Sequence, residues 1–208
     1  MEMQHPDWYI LRGPENTEIY AVYGDIDGTL VVTDRYRAYY SKNKGKTWTQ
    51  STFDSKNGLL GFAVSNDTLF TLDTQTMSGD DPGNRYAIRP AYFSLDGGVT
   101  WDKLTQRPGI PEMKTPLNYG FSANGIRFSI DEIIQPVGTI EYLGIVTENG
   151  RKIALPQQHA LNNVYFDQKS RLYISASAPL CNKDGYVQLC NKQDVRGTLY
   201  ISKKPINY

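Results

Sequence analysis

The sequence predicts an all-β chain assembled from four repeats, and three observations predict it. The first is composition. Among 208 residues there are 15 Tyr, 7 Phe and 3 Trp, with 18 Gly and 11 Pro, a mixture that suits strands joined by tight turns. The second is periodicity: no stretch holds a 3.6-residue apolar period over the dozen or so residues a helix needs. The third is internal repetition. Residues 39–48 read YYSKNKGKTW and residues 92–101 read YFSLDGGVTW, 53 residues apart from Asn43 to Asp96. An equal step reaches Asn149 in IVTENGRKIA, where Thr147 replaces the serine, Gly150 sits one place early, and Ile153 and Ala154 stand where Thr and Trp should be. One more step reaches Leu199-Tyr200-Ile201-Ser202, a strand that has lost the turn. A period of this size marks repeated supersecondary units.

The repeated motif makes sense as a hairpin turn. An aromatic strand ends in Ser, polar residues with a glycine reverse the chain, and a second strand opens with Thr-Trp. The Asn or Asp side chain can accept bonds from turn N–H groups, the glycine supplies an unusual backbone angle, and the tryptophan wedges against the neighbouring repeat. The pattern resembles the Asp-box (bacterial neuraminidase repeat) family, whose consensus is Ser-x-Asp-x-Gly-x-Thr-Trp. Ser94, Asp96, Gly98, Thr100 and Trp101 match in full, and Ser41, Gly45, Thr47 and Trp48 match with Asn43 in place of Asp. The resemblance implies a small four-bladed β-propeller in which the motif joins the third and fourth strands of a blade and does structural work. Trp48 and Trp101 are then expected to be largely buried.

Read this way, the whole chain, 1–208, forms a single domain with blades at about 18–50, 58–104, 117–156 and 162–208. Paired strands precede each motif: 18–24 and 29–33 about Asp25-Ile26-Asp27-Gly28, 61–65 and 68–73 about Asn66-Asp67, 119–122 and 126–130 about Asn124-Gly125, and 164–166 and 171–177 about Gln168-Lys169. Each pair has period-2 patterning with a turn signal between its strands. The last repeat leaves little room for an outer strand, and Trp8-Tyr9-Ile10-Leu11 has no partner in its own repeat. Residues 8–11 are therefore expected to close the last blade, which protects the ends from fraying. A two-sheet sandwich is the competing architecture, since it also uses evenly spaced short strands.

Charge and composition exclude several functions. The 22 basic and 22 acidic residues balance, whereas a polyanion-binding domain usually carries a basic excess. Only His5 and His159 are histidines, too few for a His-based metal site or a Ser-His-Asp triad. No Gly-x-Ser-x-Gly elbow occurs, and Asp25-Ile26-Asp27-Gly28 runs into a strand rather than into the further acidic ligands of a calcium loop. No catalytic residue, metal or cofactor is expected. No apolar run approaches the roughly 18 residues of a membrane span. The N-terminal residues lack a charged and an apolar leader region, so the protein is either cytoplasmic or had its signal, and with it a lipid anchor, removed. Cys181 and Cys190 flank an Asp184-Gly185 turn signal and are expected to form a disulfide, which places the protein in an oxidising compartment; two free thiols in a cytosolic loop are the alternative.

In a propeller the second-to-third strand connections lie on the face opposite the motif turns. The longest of these are expected at 74–89 and 178–197, and long loops often carry function. They supply Asp80, Asp81, Arg85, Tyr86, Arg89, Lys183, Asp184 and Tyr186 as partner-binding residues, arranged as two jaws on opposite sides of the ring. The short length, the first motif and the late cysteine pair resemble small envelope propellers that serve as immunity proteins to type VI secretion lipase effectors. The resemblance implies a non-enzymatic protein that binds one toxin, periplasmic or anchored to the outer membrane facing the periplasm. The competing reading is a carbohydrate-binding or sialidase-like propeller. A sialidase, however, resembles a longer six-bladed propeller with an Arg-Ile-Pro motif before its first box, and here the nearest match is Ile88-Arg89-Pro90 before the second.

Overall fold

The structure is a computed structural model that describes residues 5–77, 83–105, 112–136, 138–183 and 186–206. The chain is all-β, with the four-stranded antiparallel blades of a four-bladed β-propeller and no helix among the described residues. The N-terminal strand is β1 (Trp8–Arg12). Blade one follows as β2 (Ala21–Gly24), β3 (Leu30–Thr33), β4 (Arg37–Ser41) and β5 (Thr49–Asp54), paired in sequence order. Blade two comprises β6 (Gly61–Ser65), β7 (Thr68–Met77) and β8 (Arg85–Ser94), with an outer strand in two pieces, β9 (Asp102–Lys103) and β10 (Lys114–Pro116), both against β8. Blade three is β11 (Tyr119–Phe121), β12 (Arg127–Ile134), β13 (Ile140–Thr147) and β14 (Lys152–Ile153). Blade four is β15 (Leu161–Phe166), β16 (Leu172–Ala176) and β19 (Thr198–Ser202), with a separate hairpin, β17 (Leu180–Lys183) and β18 (Tyr186–Leu189), inserted before β19.

The fourth strand of blade four is β1. It pairs antiparallel with β19 from Trp8↔Ser202 to Arg12↔Thr198, so the expected closure by the N-terminal strand is present. Two compact units result, Tyr20–Leu117 and Met1–Ile19 with Asn118–Tyr208. In the second unit Trp8, Ile10, Phe128, Ile130, Ile145, Leu161, Val164, Leu172, Ile174 and Tyr200 share one core. Trp8 meets Tyr200 edge-on at 6.0 Å. The segment leaving β1 is bonded to the same blade: Gly13 N donates to Gly197 O at 2.8 Å, and Gly197 N donates to Thr17 O at 2.7 Å. A Cβ on Gly197 would lie 2.3 Å from Ile19 N and 2.7 Å from Ala176 O, so only glycine lets the segment pass this close. Sequence reading missed one buried ion pair in this unit. Asp167 Oδ2 accepts from Arg171 Nε at 2.7 Å and from Tyr173 Oη at 2.9 Å, fixing the turn between β15 and β16.

In the unit Tyr20–Leu117 the two complete motifs adopt one geometry. Ser41 Oγ accepts from Gly45 N at 2.9 Å, and Ser94 Oγ accepts from Gly98 N at 2.8 Å. Asn43 Oδ1 accepts from Thr47 N at 3.0 Å; Asp96 accepts from Val99 N, Thr100 N and Thr100 Oγ1, the last at 2.7 Å. Burial works against the Asp96 charge, but the Thr100, Ser94 and Val99 hydrogen bonds together hold its pKa down at about 2. The degraded motif keeps the key contact: Thr147 Oγ1 accepts from Arg151 N, again four residues on, at 3.1 Å. The early glycine is thus tolerated because the contact needs an amide and not a glycine.

Gly98 is constrained twice. Its φ is +96°, and a Cβ there would meet Val31 Cγ2 at 2.6 Å. The second turn is pressed against blade one, where Ser51 Oγ donates to Gly98 O and Trp101 N donates to Thr52 Oγ1. Trp101 is 6% exposed, packs on Phe62 and donates its indole N–H to Gly98 O. Trp48 is only half-buried, which corrects the expectation of equal burial. The two tryptophans should therefore differ in cost. Trp101→Ala should destabilise by about 3–5 kcal/mol, as for aromatic truncation in a core, and Trp48→Ala by about 1 kcal/mol, as for an average substitution. Urea denaturation of both variants measures this, and equal costs would contradict the assignment.

Candidate functional site

The end of each blade opposite the motif turns carries the second-to-third connection. In blade two this connection is shorter than its sequence suggests. The polar run 74–77 continues β7, with Thr74↔Ile88, Gln75↔Ala87, Thr76↔Tyr86 and Met77↔Arg85 in register. The β-branched and aromatic residues of these pairs favour a ladder over a loop, so the expected loop at 74–89 is mostly a projecting hairpin. Below it the register shifts between Thr71 and Leu72, and beside that shift Arg89 has φ 66°. Arg89 Nε and Nη2 grip the Asp73 carboxylate at 2.8 and 3.3 Å, so this arginine ties β8 to β7 at the foot of the hairpin. Tyr86 lies under Lys114, whose Nζ is 3.9 Å from the ring centroid, and Arg85 is half-buried with its carbonyl accepting from Leu117 N. Asp80 and Asp81 lie outside the described residues.

The connection in blade four contains β17 and β18, stapled by the Cys181–Cys190 disulfide with Cα atoms 4.9 Å apart. Disulfides persist in oxidising compartments. Lys183 is exposed, Tyr186 is 78% exposed and Val187 is exposed beside it; Asp184 lies outside the described residues. This hairpin belongs to the unit Met1–Ile19 with Asn118–Tyr208, and the blade-two hairpin belongs to the other.

Beneath the blade-four hairpin lies a polar hub that sequence reading missed. His159 is 2% exposed; its Nδ1 is 2.8 Å from Ser177 O and its Nε2 is 2.7 Å from Tyr200 Oη. A carbonyl only accepts, so Nδ1 carries the proton and Tyr200 donates to Nε2. Burial pushes the imidazole pKa down to about 4, and Arg12 acts in the same direction against the Ser177 and Ala178 carbonyls. Burial likewise raises the Tyr200 phenol. Where the chain returns from the hairpin, Arg196 grips Asp194 at 2.8 and 3.0 Å. That hydrogen bonding leads the causes that hold the Asp194 pKa at about 2. These contacts fix both ends of the inserted hairpin.

Next to the hub a cleft of about 340 Å³ runs between blade three and the segment entering blade four. Glu141, Tyr142, Leu143 and Gly144 line one wall, and Leu155, Gln157, Gln158 and His159 line the other. Gln158 O accepts from Leu180 N at 2.8 Å, tying this wall to the hairpin. Blade three contributes a projection that sequence reading also missed. Beyond its neighbours, β12 and β13 continue as a two-stranded ribbon with Ile134↔Ile140, Ile133↔Glu141 and Glu132↔Tyr142 in register. Among the described residues, no group of three or more His, Cys, Asp or Glu is placed to hold a metal ion. The sequence signals for the hub were one uncommon residue, His159, and the base of a long insertion; neither names its partner.

No protein-family model matches the chain, and no curated protein matches it. Matches among solved structures are distant. One is a virginiamycin B lyase from Staphylococcus aureus, at 8% identity and TM-score 0.40, covering 94% of this chain and 98% of that one. A streptogramin B lyase matches at 12% identity and TM-score 0.27, covering 92% of this chain and 58% of that one. The extracellular domain of a one-component system from B. thetaiotaomicron matches at 7% identity and TM-score 0.34, covering 87% of this chain and 32% of that one. The functional reading therefore rests on the chain's own residues.

The hub gives the protein a defined acid response. The unfolded chain protonates His159 near 6.5, whereas the folded chain resists until about 4. Between those values the unfolded state binds more protons, so stability falls as pH drops and the loss is complete near pH 4. A shift of this size corresponds to about 3 kcal/mol. Urea midpoints from pH 7 to pH 4 should show the fall, and His159→Phe should flatten it. An unchanged slope in that variant would contradict the buried neutral imidazole.

Proposed function

We propose that this protein acts by binding another protein through the hairpins opposite its motif turns, and not by catalysis. The observation that carries the reading is the blade-four hairpin: an exposed tyrosine and valine beside an exposed lysine, on a ribbon braced by a disulfide at its base. Exposed aromatic anchors with flanking charge suit protein interfaces, where Tyr and Arg often carry the binding energy, and a pre-braced hairpin loses less freedom on association. Lys183, Asp184 and Tyr186 form the contact surface in blade four, and Asp80, Asp81, Arg85 and Tyr86 in blade two. Arg89 supports them through Asp73. The Asp-box resemblance and the late disulfide favour an envelope location, periplasmic or at the outer membrane, and the resemblance to envelope immunity propellers makes a type VI lipase effector the first partner to test.

Calorimetric titration against a lipase-type effector, sought first in the genes neighbouring that of this chain, tests the reading. Tyr186→Ala and Lys183→Glu should each weaken binding at least about tenfold, or 1.4 kcal/mol, with the melting temperature within about a degree of wild type. Wild-type affinity in both variants, together with in Arg85→Ala and Tyr86→Ala, would overturn the assignment of this end. Failure of the effector to bind wild-type protein would overturn the immunity reading.

A further inference from the structure

We propose that a cleft at the motif end of blade four binds a small carboxylate with an apolar body, which accepts the indole N–H of Trp8. The site lies at the opposite end of the blade from the stapled hairpin and works independently of it.

The cleft follows from the way the blade is closed. In blades one to three a covalent turn joins the last two strands at this end. In blade four the outer strand is β1, so no turn joins it to β19, and the segments 5–7 and 203–206 stand in its place. They are tied to each other: Lys203 N donates to Asp7 O at 2.9 Å, and Lys203 Nζ donates to His5 O at 2.7 Å. A cleft of about 370 Å³ lies among these segments and the end of β14, a volume suited to a small molecule. Pro6, Ile153, Pro205 and Ile206 give it apolar walls.

Trp8 supplies the polar anchor. The residue is 5% exposed, shares the core with Ile206 and Tyr200, and lines the cleft. A tryptophan N–H this far inside a protein ordinarily finds a partner. Here the indole N–H donates to no atom among the described residues, and it is not sealed from the surface. It is a preplaced donor at an apolar wall, and an acceptor on a ligand would complete it.

The surrounding groups fix the charge of that acceptor. Asp7 N donates to His5 Nδ1 at 3.2 Å, so His5 Nε2 carries the proton and is a second donor. Lys204 lines the cleft, is exposed and has no ion-pair partner among the described residues. Across residues 5–8 and 202–206, Lys203 and Lys204 stand against Asp7 alone. Lys152, beside Ile153, is paired with Asp131. Asp7 is exposed, whereas the indole donor sits on a buried residue. An anionic acceptor therefore goes inward to Trp8 with lysine charge nearby, and an amine could not accept from the indole.

The probe is 3-phenylpropionate, titrated into full-length ¹⁵N-labelled protein and followed at the indole N–H signals. The chain has three tryptophans, and the Trp8 signal is the one lost in Trp8→Phe. That signal should move saturably while those of Trp48 and Trp101 stay. Binding should be at least about tenfold tighter than for 3-phenylpropylamine or for acetate, which lack the charge or the body. Trp8→Phe, which keeps a ring and removes the donor, should weaken binding in calorimetry. Lys204→Glu is a surface change that should leave the melting temperature unaltered and weaken binding at least about fivefold, because attraction becomes repulsion. Tyr186→Ala should bind 3-phenylpropionate as wild type does, so this site and the hairpin reading can fail separately. An unmoved Trp8 signal, equal binding of the amine or acetate, or wild-type affinity in Lys204→Glu would overturn the proposal. So would binding seen only after residues 1–4 or 207–208 are deleted, which would give the cleft to the chain's own ends.

Discussion

The antiparallel ladder between β1 and β19 is the constraint on which the unit Met1–Ile19 with Asn118–Tyr208 depends. Without β1, the edge of β19 would present unpaired backbone groups, and Trp8 and Ile10 would leave the core they share with Tyr200, Leu172 and Ile174. The bond between Gly13 and Gly197, and the passage of the chain beside Gly197 at a distance only glycine permits, follow from that ladder. So does the position of Arg12, which donates to Thr198 Oγ1 at 3.2 Å and lowers the pKa of His159. Structure at the base of the projecting hairpin is thus set partly by residues from the other end of the chain.

The two ends of each blade divide the work. At the motif end, short turns are saturated with hydrogen bonds from side chain to backbone, and a hydroxyl accepting from the amide four residues on recurs even where the rest of the pattern has decayed. Among the described residues these turns stay close to their sheets. At the opposite end, the blade-two hairpin, the blade-three ribbon and the stapled blade-four hairpin extend past their sheets, with Met77, Ile133, Ile134, Tyr186 and Val187 exposed. Exposed apolar groups on regular, braced backbone favour recognition over mere insertion tolerance. The buried His159 and Tyr200 stand between the two regimes: wholly structural, yet placed where protonation would loosen the hairpin's attachment.

What was legible in the sequence was local. The motif turns announce themselves because serine, asparagine or aspartate, and glycine must stand at fixed offsets to make their bonds. The disulfide was legible because a turn signal, Asp184-Gly185, stands between Cys181 and Cys190, and the N-terminal strand because one blade lacked a partner. Contacts set by tertiary structure were not legible. His159 and Tyr200 meet across 41 residues, and no pattern links them. The Asp167 and Arg171 pair looks like an ordinary polar turn until Tyr173 buries it. The run 74–77 reads as loop by its polarity, although threonines facing Tyr86 and Ile88 make good strand. Trp48 and Trp101 occupy equal places in the motif and differ in burial because burial depends on what packs beside them: Trp101 packs on Phe62 and donates its indole N–H to Gly98 O.

The central claim is that the N-terminal strand is part of the stable core while the blade-four hairpin is an appendage braced only at its base. Native-state hydrogen exchange reads this directly, because amides that open only on global unfolding share one denaturant dependence and locally opening ones do not. The β1 and β19 amides, among them Ile10, Leu11, Leu199 and Ile201, should merge with the slowest exchangers of β16, and those of Tyr186 to Leu189 should exchange by local opening. Fast, denaturant-independent exchange along β1 while β16 stays protected would show a frayed terminus and contradict the account.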